Sequence, residues 1–78
     1  MEPIALAYLS AGFGMGLAAI GTGLAIGLLV GKSAESIARQ PSAAPQIRFA
    51  MLVGIAFVEA IALYTLVVSL VLIFSGKA

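Results

Sequence analysis

The chain contains no cysteine and no histidine, and only 9% of its 78 residues are charged. Without cysteine there is no disulfide staple and no thiolate chemistry. Without histidine the commonest metal ligand and general base are missing. No Ser/His/Asp or Cys/His set can be drawn from these residues, and no cluster of metal ligands either. Soluble domains carry roughly 25% charged residues, so the polar sequence here is too sparse to clothe a surface in water. Four Lys and Arg against three Asp and Glu leave a net charge of +1, which gives nucleic acid nothing to bind. What is present instead is 63% apolar residues. That is the composition of one small membrane domain spanning 1–78, with no soluble domain attached.

Two long apolar runs account for most of it. Ile4 to Val30 is unbroken by charge or proline, and Phe49 to Phe74 contains a single charged residue, Glu59. Each exceeds the roughly 20 residues that cross a bilayer as a helix. The expected fold class is all-α, a transmembrane hairpin. Its first helix covers about 4–39, a polar loop about 40–45, and its second helix about 46–75. Pro41 stops the first helix because proline disfavours helix in the residue before it, and Pro45 suits the first turn of the second. Met1-Glu2-Pro3 offers no basic n-region, and the following run is too long for a signal peptide's core. The first segment is therefore expected to be retained, and this start favours a bacterium. Lys32, Arg39 and Arg48 lie in or beside the connection, while the ends offer Glu2 and Lys77. By the positive-inside tendency the loop faces the cytoplasm and both termini the opposite side.

Seven of the nine glycines fall in the first helix, at 12, 14, 16, 21, 23, 27 and 31, although each costs a helix interior up to ~1 kcal/mol relative to alanine. At ~100° per residue, Gly14, Ala18, Gly21 and Ala25 form one stripe, and Gly12, Gly16, Ala19, Gly23 and Gly27 another. One small-residue stripe lets a helix pair approach closely. Two roughly opposed stripes indicate a neighbour on each side, and a repeated head-to-tail contact closes into a ring. The plainer alternative is that glycine is frequent in membrane helices and serves only the hairpin. The Gly-x-Gly repeats lack the preceding strand and following Lys of a phosphate-binding loop.

Glu59 is the chemical centre of the sequence. A charged side chain in mid-membrane costs at least ~3 kcal/mol, and no basic residue lies between Phe49 and Gly76 to neutralise it. Out of water the neutral acid is the favoured form, and its O–H needs an acceptor. Helix carbonyls and the hydroxyls of Tyr64 and Thr65 are candidates. Such a group holds a proton while facing lipid and releases it where water or a cation meets it. A structural role, an interhelical hydrogen bond without turnover, is the competing reading. Other rivals are a small oligomeric pore-forming hairpin, which needs a polar stripe, and a drug/proton antiporter protomer, which needs more helices.

Three motifs, in order, carry a resemblance: Gly21-Thr22-Gly23-Leu24-Ala25-Ile26-Gly27, Glu35-Ser36-Ile37-Ala38-Arg39-Gln40-Pro41, and Phe57-Val58-Glu59-Ala60. Together they resemble the c-subunit family of F-type ATP synthases, over nearly the whole chain. The resemblance implies a non-catalytic proteolipid that forms a homo-oligomeric rotor ring in the cell inner membrane. Proton binding and release at Glu59 then couples ion flow to rotation and ATP synthesis as each protomer passes the stator a-subunit, whose arginine supplies the missing countercharge. It implies ring packing through Gly14, Gly16, Gly21, Gly23, Ala25 and Gly27. Arg39-Gln40-Pro41 would contact the gamma and epsilon subunits of the central stalk, and membrane lipid would surround the ring. Sodium-coupled relatives place side-chain oxygens at the positions of Ile26 and Ala60; neither residue has one, so the transported ion is expected to be H+, with no cofactor and no metal. In proton-coupled rings the neutral acid closes against the backbone carbonyl of a neighbouring helix at the position of Phe57, with Tyr64 nearby and Ile26, Gly27 and Ala60 around the site.

Overall fold

The computed structural model describes residues 2–75. Lys77, the cation in the terminal charge balance, lies outside the described residues. Helix α1 runs Pro3–Arg39 and helix α2 runs Ala44–Ser75, joined by Gln40 and a 3-10 turn, Pro41–Ala43. No strand occurs among the described residues. The connection is shorter than the expected 40–45. Pro41 forces Gln40 out of the helical region, to φ −135° and ψ 75°. Gln40 nevertheless donates its N–H to the Ser36 carbonyl at 2.9 Å, closing the end of α1, and the Ala43 N–H donates to the Gln40 carbonyl at 3.0 Å. Helical geometry therefore resumes at Ala44, and Pro45 falls inside the first turn, where its missing N–H leaves no bond unmade.

At ~1.5 Å per residue the 37 residues of α1 span about 55 Å, most of the 58 Å long axis of the molecule. The hydrocarbon layer is only ~30 Å thick, so the end of α1 from about Lys32 onward projects into the interface. Both helices are long and apolar enough to cross a membrane.

The facing surfaces are made of small side chains. Ala7, Ala11, Thr22 and Ser33 are buried from α1 and Ser69 from α2, a spacing that keeps one stripe turned toward the partner helix. Without a hydrophobic drive in lipid, close backbone approach and hydrogen bonding hold such a pair. Ser69 Oγ donates to the Ala11 carbonyl at 3.2 Å across the interface, a bond of the kind worth ~0.6 kcal/mol in membranes. Nearer the loop, Leu29 seats over Gly54, where an added Cβ would stand 2.8 Å from Leu29 Cδ2. Thr22 Oγ1 donates to its own helix, to the Ala18 carbonyl at 2.8 Å, so its burial leaves no donor unpaired.

The hairpin is a blade, 58 × 16 × 6 Å over its Cα atoms. Phe13, Leu17, Ile20, Leu24 and Leu28 of α1 stand exposed on the side away from α2. In water so large an apolar surface would aggregate; in lipid it is ordinary.

Candidate ion-carrying site

Two grooves between the helices define the flanks of the blade. One, of about 390 Å³, is lined by residues that include Gly12 and Met15 of α1 and Leu66, Ser69 and Leu70 of α2. Leu66 follows Glu59 by seven residues, two helical turns, so Glu59 lies on this same flank. Gly23 and Gly27 follow Gly12 and Gly16 by eleven residues, three turns, which brings the glycine stripe to the Glu59 side as well. Ile26 follows Met15 by the same interval and is half-buried there.

The other groove, of about 230 Å³, is lined by Ala18, Gly21, Thr22, Ala25, Val58 and Ile61. Phe57 and Tyr64 lie four residues before and three after Ile61, hence on its face, and are 73% and 72% exposed. Within one chain, then, Phe57 and Tyr64 do not share a side with Glu59; the hairpin presents the acid on one edge and the aromatic pair on the other. Ala60, half-buried, and Gly27, exposed, bring no side-chain oxygen to the acid.

Depth follows from the pairs already described. With Ser69 opposite Ala11 and Gly54 opposite Leu29, Glu59 falls level with Gly23, and Ile26 about one turn nearer the loop. Glu59 is exposed. From Ile55 to Leu63 no other side chain on α2 carries an oxygen or nitrogen. The Thr65 hydroxyl, one of the expected acceptors, donates to the Ile61 carbonyl at 3.0 Å.

A Cβ added at Gly12, Gly14, Gly16, Gly21, Gly23, Gly27 or Gly31 would meet nothing within 4 Å, so α2 needs none of them to pack. Ala18, Gly21 and Ala25 of the first stripe line the groove shared with Val58 and Ile61 of α2. At the connection, Arg39 Nη2 donates to Glu35 Oε1 at 2.8 Å, an exposed pair one turn apart, and Gln40 and Pro41 stand exposed at the tip.

A thin hairpin of two helices, each long and apolar enough to cross a membrane, with the carboxylate of Glu59 on its edge, has the form of a membrane protein. The family model for the ATP synthase c-subunit matches residues 9–72. The chain is 47% identical over 78 residues to the ATP synthase c-subunit of a Nostoc species, covering 97% of this chain and 96% of that one. It is 48% identical over 78 residues to the chloroplastic ATP synthase c-subunit of Chlamydomonas reinhardtii, covering 97% and 95%. The corresponding protein of Geobacter sulfurreducens is 41% identical over 76 residues, covering 97% and 84%. This chain belongs to the ATP synthase c-subunit family. It is a membrane component of that complex and associates there with other ATP synthase subunits.

Proposed function

We propose that reversible protonation of Glu59 is the step by which this chain, the rotor-ring proton-translocating component of an F-type ATP synthase, turns proton flow into rotation. The observation that carries the reading is the two-edged hairpin, with Glu59 and glycines on one flank and Phe57 and Tyr64 on the other. Copies placed head to tail bring the acid of one protomer against the aromatic edge of the next. There the neutral carboxyl O–H can donate to the Phe57 carbonyl, Tyr64 can steady the closed form, and the site is sealed from water. Contact of this heterologous kind closes into a ring.

Each residue then has a task. Glu59 carries the proton in its neutral state through lipid and gives it up when an arginine of the stator a-subunit and an aqueous path reach it. Gly14, Gly16, Gly21, Gly23, Ala25 and Gly27 permit the close helix packing. Arg39, Gln40 and Pro41 meet the gamma and epsilon subunits at the foot of the central stalk. The chain itself is non-catalytic and uses no cofactor, and membrane lipid bathes the outer face of the ring. Proton rather than sodium coupling rests on the missing oxygens at Ile26 and Ala60, since sodium must replace its water shell with several ligands. A water-filled pore would need a polar stripe, and the outward stripe of Phe13, Leu17 and Ile20 is apolar. The membrane is the cell inner membrane of a bacterium, with the loop cytoplasmic.

The test is chemical. A hydrophobic carbodiimide applied to purified oligomer should modify Glu59 slowly, more at low than at high pH, and sodium ions should give no protection near neutral pH. Fast labelling independent of pH, or protection by sodium, would overturn the proton-carrier assignment.

A further inference from the structure

We infer that Ser69 is a positioning residue for the proton step, holding Glu59 at its height and on its flank through the hydrogen bond to the Ala11 carbonyl. The inference rests on the proton-carrying role of Glu59. The residues facing each other between the helices are small or apolar, and such contacts are non-directional; they resist sliding weakly. Two features fix the register, one a directional hydrogen bond and one a steric notch. Ser69, 5% exposed, donates across the interface to Ala11 at 3.2 Å, whereas the hydroxyls of Thr22, Ser36 and Thr65 bond within their own helices. On the loop side, Leu29 sits in the notch at Gly54.

These two points bracket Glu59, at roughly 15 Å and 7.5 Å along α2. A slip of α2 by one residue would carry Glu59 about 1.5 Å along the axis and turn it about 100°, off the flank where a neighbour can close over it. Among the described residues nothing else would compensate electrostatically. On α1 no titratable residue occurs between Tyr8 and Lys32, and the nearest on α2, Tyr64, stands on the opposite edge.

The experiment compares Ser69→Ala and Ser69→Thr with the parent in the assembled ATP synthase. Ring yield, the pH profile of carbodiimide labelling at Glu59 and ATP-driven proton pumping are measured together. Ser69→Ala should keep the ring but displace the labelling midpoint by about 0.3 pH unit or more and slow pumping about twofold or more, while Ser69→Thr, which keeps the donor, restores both. Labelling and pumping that superimpose on the parent overturn the inference. So does loss of ring yield that Ser69→Thr repairs with no movement of the pH profile in either variant. If Ser69→Ala yields no ring, Ser69→Cys, a weaker donor of similar size, is read by the same criteria. A parent never labelled at Glu59 removes the proton-carrying reading itself, and this inference with it, whereas normal parental labelling with an inert Ser69→Ala removes this inference alone.

Discussion

A carboxylic acid in hydrocarbon is tolerable only while neutral and hydrogen-bonded, and it is useful only if both conditions can be lifted on demand. In the proposed role Glu59 would have to meet both conditions with help from neighbouring protomers. Among the described residues no cation lies within its span of α2, and the adjacent side chains from Ile55 to Leu63 offer no competing polar group. Replacing the acid by its amide separates shape from charge. Glu59→Gln keeps the size and the capacity to hydrogen-bond but cannot ionise, so the ring should assemble in normal amount. Proton translocation should fall by about a hundredfold or more, the scale on which removal of a proton-transferring group is felt. Acidification of inverted vesicles driven by ATP measures it, and pumping retained in that variant counts decisively against the mechanism. Glu59 is legible in the sequence because a single charge in so long an apolar run has no ordinary explanation. Ser69 is not, because serine is commonplace in a membrane helix and its partner Ala11 lies 58 positions away.

At the level of elements, length and apolar content are enough to define two spanning helices, and the prolines mark the turn between them. The turn reads too long in the sequence because Pro45 looks like a boundary, although the chain is already helical one residue earlier. Which face of each helix meets the other is hidden for a different reason. Both helices are apolar on every side, so no amphipathic phase points to the partner. The small side chains at 7, 11, 22 and 33 mark the interface on α1, and they compete for notice with seven glycines at which an added Cβ would meet nothing. The loop's orientation is open to direct measurement. Lys32, Arg39 and Arg48 favour the cytoplasmic side, so Ser42→Cys, at an exposed position in the turn, should react with a membrane-impermeant maleimide in inverted vesicles and not in intact cells. Reaction in intact cells would reverse the topology.

For the whole molecule, a blade 6 Å thick in its narrowest Cα dimension is a fragment of a larger packing problem. Its own interface uses Ala7, Ala11, Thr22 and Ser69 and leaves open space where a Cβ on any of the seven α1 glycines would stand. So many glycines destabilise a helix, and the proposed ring gives them a use, because small residues let a further helix approach closely. Gly23→Leu discriminates sharply between the hairpin and that further contact. A Cβ at 23 meets nothing within 4 Å inside the hairpin, so the variant should insert as two spanning helices, with helical content unchanged by circular dichroism. It should fail to form the ring, because a leucine on the Glu59 flank holds the adjacent first helix several ångströms away, and native electrophoresis should show protomers in place of oligomer. An intact ring carrying that leucine would mean that neighbours do not approach through the glycine edge, and the head-to-tail arrangement that brings Glu59 to Phe57 would lose its physical basis.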